Sequence, residues 1–381
     1  MKKKCYDLCI VGGGVVGLWI ARHLIGSGLK IAIVEQNSCG SGASGGVLGA
    51  LTAHSPENWN KKKQFQLDAL KELPEIISIL EEETGCSTGY ERCGRLIPIR
   101  RKSFLARSEQ RSHLAEKHWF YYDTKFTFNV YKSDTDRQIY KDWLAPECAP
   151  LGHVLDTLAA RIQPRLYTAT LKASLLASHE IDVLENWAFG HFDESCHIVY
   201  STDGIKSLVA KEIVLAAGYQ TFTILKPVLK NVIGTGIKGQ AAVFACPNCD
   251  GMPLIYDDGV YIVPHNNGTC AVGSTTEKNW SNATLPNEQN SDFIARAKTL
   301  CVPLSSSQII ERWAGVRPRC NLTDPIIGRL GNSSISVATG GYKITFGIAH
   351  RIAKYIANDI CGVIQNIDLP LMFRPEHHIH G

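Results

Sequence analysis

A chain of 381 residues with 44% hydrophobic content is long enough for two domains around a substantial core. Its formal charge of +4 and pI near 8.3 are too mild to define a nucleic-acid binder, which carries a clustered basic face, and no stretch approaches the ~18 uninterrupted apolar residues of a membrane-spanning helix. Thirteen cysteines, an odd number in a long chain, point to free thiols and a reducing cytoplasm; Cys246-Pro-Asn-Cys249 lacks the second pair of a zinc site, so no metal is expected.

The first element sets the reading. Lys4 to Val11 is an apolar strand, Gly12-Gly-Gly14 a turn, and Val15 to Ile25 a helical run. Lys2 to Lys4 ahead of an apolar stretch imitates a secretory signal, but three consecutive glycines make it the first strand of a fold. The turn carries Gly12-x-Gly14-x-x-Gly17, the dinucleotide spacing. Gly12 permits the tight turn, Gly14 lets backbone approach a pyrophosphate, and Gly17 lets the helix close on the strand. The helix N-terminus offers N–H groups and partial positive charge to phosphates. Ile31-Ala-Ile-Val34 is a second apolar strand closed by Glu35, 18 residues after Gly17 (35 − 17) and near the ~20 of a ribose-binding acid. An adenine dinucleotide is expected here.

The segment Ser38 to Ala50 is dense in small residues and ends in an apolar run, so it reads as a packed wall of the nucleotide site and not as a linker. Phe65 to Glu83 has the periodicity of an amphipathic helix. Gly85 to Arg100 reads as a strand region whose Arg95 and Arg100 either face a site or, the commoner case for strand arginines, stand exposed, and Ser103 to Asp142 carries no detailed signal. Lys61 to Lys63 reads as solvated surface. Val154 to Ala177 reads as helical, with Pro164 as an interruption or a start, and Glu180 to Trp187 as a strand. Ile198 to Thr202 and Lys206 to Ala210 flank the hairpin signal Asp203-Gly204, and Glu212 to Gly218 is a buried strand running into a glycine. Gly218 then lies at the carboxyl end of a parallel sheet, where ligands sit. Residues 232 to 280 look antiparallel. Asp292 to Leu300 is a helix, Ile309 to Val316 and Ser334 to Gly341 are strands, and a helix follows from about Ile344 to Ile360. The terminal His377-His378-Ile-His380 reads as a frayed tail.

These elements resemble the D-amino-acid oxidase superfamily of flavoproteins, with its glycine oxidase and sarcosine oxidase-like members nearest. The resemblance covers nearly the full length. It rests on Val11 to Gly17, Val47 to Ala50, Val214 to Gly218, Gly259 to Pro264, Val337 to Tyr342 and Phe373 to Pro375, and most specifically on Arg312-Trp-Ala-Gly-Val-Arg-Pro-Arg-Cys-Asn-Leu-Thr-Asp-Pro-Ile-Ile-Gly328. It implies an α/β, two-domain (α+β) architecture: a Rossmann-like FAD-binding domain from residues 1–60, 145–220 and 325–381, and an inserted antiparallel-sheet substrate domain from 61–144 and 221–324. The implied FAD ligands are Gly12, Gly14, Val15, Val16 and Gly17; Glu35 and Gln36; Ser44, Gly45, Gly46, Leu48 and Gly49; Ala217 and Gly218; and Gly340, Gly341, Tyr342, Lys343 and Ile344.

By the same resemblance Arg317 clamps a substrate carboxylate, as a planar, permanently charged fork suits. Tyr261 helps hold that carboxylate, and Lys343 lies close to flavin and substrate. A covalent flavin in a sarcosine oxidase-like relative uses a cysteine seven positions before the aspartate matching Asp324; that position here is Arg317 (324 − 7), so non-covalent FAD is expected. The usual Gly-His before this segment is Gly340-Gly341, and the small residue expected a few places later is Thr345, followed by Phe346. The substrate side is therefore expected to differ.

The implied activity is oxidation of the amine of a small or N-substituted amino acid, of glycine, sarcosine or D-amino-acid type. Hydride passes to flavin N5, the imine hydrolyses, and no general base is needed. Two alternatives stand beside it: a flavin enzyme of tRNA wobble-uridine modification, and an electron-transfer flavin subunit of a larger dehydrogenase. The expected partner is a small-molecule amine, with tRNA as the alternative, and a homo-oligomer is compatible with the sequence.

Overall fold

The computed structural model describes residues 3–121, 124–132, 134–229, 231–287 and 291–380; Lys2 of the N-terminal basic run lies outside them. Two eight-stranded sheets organise the chain. In the first, Cys5–Val11 is flanked by Ile31–Val34 and Ser207–Leu215, both parallel to it. Ile181–Leu184 adds in parallel beyond Ile31–Val34, and Ile335–Thr339 adds in parallel beside Val214. A hairpin of Phe189–Asp193 and Ile198–Ser201 extends the sheet, turning through the expected Asp203-Gly204 into Ser207–Leu215. The parallel strands are apolar on both faces because helices cover them. Val15–His23, Pro164–Leu176, Lys61–Thr84 and Thr345–Ile360 supply the covering residues, among them Leu18, Trp19, Tyr167, Leu171 and Ile352.

The second sheet runs, in spatial order, Ile309–Cys320, Gly234–Ala245, Thr269–Gly273, Val260–His265, Leu254–Asp257, Arg95–Pro98, His153–Asp156 and Phe128–Tyr131. Every pairing is antiparallel except that of Leu254–Asp257 with Arg95–Pro98. The 12-residue strands Gly234–Ala245 and Ile309–Cys320 lie side by side over nearly their whole length and bring Arg317 opposite Ile237.

The observed elements depart from the sequence-based expectations in several places. Val154 to Ala177 is not one helix: His153–Asp156 and Ala160–Arg161 are strands, and the helix starts at Pro164. Proline is suited to the first helical turn, where no N–H is needed. Helix Lys61–Thr84 packs on the first sheet's helices through Leu67, Leu70, Leu73 and Ile77, while His153–Asp156 pairs into the second sheet, so both cross the expected domain division. Ser103 to Asp142 holds a helix, Lys102–His118, and the edge strand Phe128–Tyr131.

Three charged or polar runs are also less solvated than expected. Lys61 remains exposed beside Asp368, but Lys62 pairs with Asp324 at 2.5 Å and Lys63 Nζ donates to the carbonyls of Ser55 and Glu57. The histidine tail is the helix Pro375–His380, whose buried His378 ring reaches the carbonyls of Pro325 and Met372. Arg100 is exposed and pairs with Asp257, but Arg95 is only 6% exposed.

Arg95 and Asp156 face each other across adjacent strands, with Arg95 Nε donating to Asp156 Oδ2 at 2.9 Å. The other carboxylate oxygen accepts from the N–H groups of Leu158 and Ala159. Removing one partner of a fully buried pair leaves the other charge without water or counter-ion. Asp156→Ala is therefore expected to lower stability by about 3–5 kcal/mol, measured as the shift in urea unfolding of the flavin-loaded protein.

Candidate active site

A cavity of about 710 Å³ lies at the carboxyl ends of the parallel strands and against the second sheet. That volume is in the upper part of the roughly 300–1,000 Å³ range of small-molecule sites. Its floor is the glycine turn. A Cβ on Gly12 would sit 2.6 Å from the carbonyl oxygen of Ala216, and one on Gly17 would sit 2.0 Å from that of Gly12. Only glycines let helix Val15–His23 start this close to the strands. Gly14 caps that helix in extended conformation, and the Ser44 hydroxyl accepts from Val15 N at 3.0 Å. The first turn's other N–H groups have no carbonyl four residues back and face the cavity as an anion site. Glu35 accepts from Gly13 N at 2.8 Å and from Asn37 N at 3.0 Å. Its carboxylate thus locks the turn and keeps lone pairs on both oxygens for further donors.

The opposite wall carries positive charge. Arg317 projects from Ile309–Cys320 across the neighbouring strand, where Gly239 leaves the space: a Cβ there would lie 2.1 Å from Arg317 Nη2. Its Nη1 donates to Ser274 Oγ at 2.9 Å and its Nη2 to the Thr275 carbonyl at 2.8 Å. Its buried Nε has no partner among the described residues. Burial lowers the Arg317 pKa, an effect opposed by Tyr342 and Glu277. Lys343, exposed into the cavity, is brought down to about 8 by desolvation first and then by the guanidinium groups of Arg317 and Arg319. The three cations surround the Tyr342 ring, with Arg317 Cζ 5.2 Å, Arg319 Cζ 5.3 Å and Lys343 Nζ 5.8 Å from its centre. Tyr342 itself is held at φ +49°, a region that a bulky residue enters only under constraint. Helix Thr345–Ile360, which carries no acid in its first turn, starts three residues on and adds the positive end of its dipole.

The chain matches the model of the FAD-dependent oxidoreductase family DAO over residues 7–358. It belongs to that family. Glycine oxidase of Bacillus licheniformis is 24% identical over 364 residues, covering 94% of each chain. The fold is shared with glycine oxidase of Geobacillus kaustophilus (20% identity, 97% of each chain, TM-score 0.85) and with iminodiacetate oxidase from Chelativorans sp. BNC1 (18% identity, 97% and 98%, TM-score 0.83). The protein is an FAD-dependent oxidoreductase, and the glycine turn, the capped helix and Glu35 fit the dinucleotide half of that cofactor.

Most of the sequence-selected positions meet on the cavity wall. Gly12, Gly14, Val15 and Val16 line it with Glu35 and Gln36. So do Ser44, Gly46, Leu48 and Gly49, then Ala217 and Gly218. Gly340, Gly341, Tyr342, Lys343 and Ile344 come from the other side, with Arg317 and Tyr261 on the second sheet. Two positions stand behind the wall. Gly17 is pressed against the Gly12 carbonyl, and Gly45 faces the Gly40 carbonyl while its own oxygen accepts from Arg165 Nε. Both shape the wall without forming it.

A polar patch escaped the sequence reading. Tyr261 OH and Thr52 Oγ1 are 3.1 Å apart. Gln66 Nε2 donates to the Thr52 carbonyl and Gln66 Oε1 accepts from His54 N at 2.8 Å. All four residues line the cavity. Gln66 comes from a helix whose apolar periodicity concealed it. Gly239 was also missed, although a glycine inside a strand is itself a sign of close approach.

Below pH 8 two cations, Arg317 and Lys343, line the cavity, with Arg319 beside them across the Tyr342 ring, and as pH rises through about 8 Lys343 loses its charge. Affinity for a simple carboxylate such as propanoate, read from the perturbed flavin spectrum, is expected to fall on the order of tenfold across that step. Lys343→Met should show no step. Gly239→Val, which displaces the Arg317 guanidinium without touching the dinucleotide turn, should weaken propanoate binding on the order of 100-fold at constant pH.

Proposed function

We propose that the protein oxidises the amine of a small or N-substituted amino acid, such as glycine, sarcosine or a D-amino acid, to the imine, which water hydrolyses to the oxo acid and free amine. The observation that carries this reading is Arg317. It is a half-buried guanidinium on the cavity wall, fixed by Ser274 and Thr275, with a buried, unpartnered Nε and no carboxylate ion pair among the described residues. Such a group is built to receive a carboxylate. FAD, held by the glycine turn, Glu35 and the Val15–His23 helix N-terminus, would supply the two-electron acceptor for the α-carbon's hydride.

The chain's own residues bind and orient. Arg317 anchors the substrate carboxylate, and Tyr261, hydrogen-bonded to Thr52, presents a hydroxyl on the adjoining wall. Lys343 and the start of Thr345–Ile360 favour the negative charge that builds up as hydride leaves the substrate. The α-amine must be neutral to react, and the surrounding cations favour its deprotonated form. No cysteine lines the cavity among the described residues, and the Cys320 thiol lies behind Gly340, which supports non-covalent FAD. The tRNA alternative drew on the Lys61–Lys63 run, and the ties of Lys62 and Lys63 to Asp324, Ser55 and Glu57 remove that support.

Anaerobic bleaching of the flavin by glycine, sarcosine, D-alanine or D-proline tests the reading, and no bleaching by any of them would overturn it. Arg317→Met should raise the half-saturating concentration of the best amine roughly 30-fold or more, the ~2–5 kcal/mol of a broken charge pair. Acid precipitation should release all of the flavin into solution.

A further inference from the structure

The cavity wall and the side chains packed directly against it hold more positive charge than one carboxylate requires. In the reading above Arg317 takes the substrate carboxylate and Lys343 serves the reacting end, which leaves Arg319. It stands two residues beyond Arg317 on the same face of Ile309–Cys320, about 7 Å along the strand. Its backbone bridges to Gly341 and its guanidinium lies against Tyr342; Gly341, Tyr342 and its chain neighbour Pro318 line the cavity, and Arg319 stands directly beside that lining. Among the described residues its guanidinium has neither an ion pair nor a hydrogen bond; its contact is the Tyr342 ring, with Cζ 5.3 Å from the centre. The acid bearing on this cluster is Glu277, and it is engaged by Gln240 and Thr275. A half-buried, unpaired guanidinium beside two other cations is costly unless a ligand brings negative charge to it.

We propose that Arg319 is a specificity-determining residue that receives a second anionic group, and that the preferred substrate is a dianion: an amino acid carrying a further carboxylate on its N-substituent or side chain. This rests on the amine-oxidation reading. Arg317 fixes the carboxylate next to the reacting carbon, and Arg319 holds the distal one at the cavity edge. Both guanidinium groups lie against the same Tyr342 ring, with Cζ 5.2 Å and 5.3 Å from its centre. The chemistry is unchanged: hydride leaves the α-carbon, and water cleaves the imine.

Two readouts on the flavin-loaded protein test this. In anaerobic flavin reduction, N-carboxymethylglycine should half-saturate at least tenfold below N-methylglycine, and Arg319→Gln should bring that ratio close to one. Arg319→Lys, which keeps the charge, should retain most of it. In equilibrium binding followed by flavin absorbance at fixed ionic strength, succinate should bind at least tenfold more tightly than propanoate, and Arg319→Gln should abolish the difference. Equal affinities in the wild type, or a preference that survives Arg319→Gln, would overturn the inference. Failure of every amine to reduce the flavin would overturn the amine-oxidation reading instead, and the succinate comparison would still decide the role of Arg319.

Discussion

The missing side chain of Gly17 governs the first half of the site. Helix Val15–His23 can begin directly above the end of Cys5–Val11 only because nothing occupies the space between Gly17 and the Gly12 carbonyl, where a Cβ would stand 2.0 Å away. That contact aims the helix N-terminus into the cavity and brings Gly12 against the backbone of Ala216 on the adjacent strand. Glu35 then ties the turn to the second strand through Gly13 N, and Ser44 ties it to the following loop through Val15 N. Donors, carboxylate and loop are thereby fixed before any ligand arrives, so little ordering entropy is left to be lost on binding.

The second half is governed by electrostatics. Gly239 repeats the same steric device in the other sheet, letting a guanidinium lie across a neighbouring strand. Here the consequence is a charge held where water is scarce. Arg317, Arg319 and Lys343 repel one another, and that repulsion adds to desolvation, the larger cause, in depressing the Lys343 pKa. The fold tolerates it because the Tyr342 ring offers its face to all three and Ser274 and Thr275 accept from Arg317. A bound anion relieves the repulsion directly.

How much of this was legible in the sequence follows from the range of the interactions. The glycine turn, Ile31–Val34 with Glu35, the Asp203-Gly204 hairpin and helix Asp292–Leu300 are local, and their residues announce them. Arg317, Tyr261 and Lys343 were found through a family resemblance and not through periodicity. What stayed hidden depends on distant partners. Gln66 meets His54 and Thr52 only because helix Lys61–Thr84 packs under the loop that follows Leu51. Lys62 and Lys63 read as solvated because Asp324 and the carbonyls of Ser55 and Glu57 have no signal of proximity in the chain. Val154 to Ala177 read as helix because alternation over four residues is too short to outweigh a long apolar run, and the pairing partners of His153–Asp156 come from elsewhere.

Gly341 and Thr345, the two departures from the family pattern, prove to be one feature. A Cβ on Gly341 would lie 2.6 Å from Thr345 Oγ1, so the threonine fills the room that a side chain at 341 would need. The Thr345 hydroxyl donates to the Tyr342 carbonyl at 3.2 Å, and both residues line the cavity. The next residue, Phe346, is turned toward Tyr167. Thr345 thus occupies the space beside Gly341, the residue to which the Arg319 backbone bridges. An unpaired cation beside the Tyr342 wall of the cavity gains from a substrate arm that ends in negative charge.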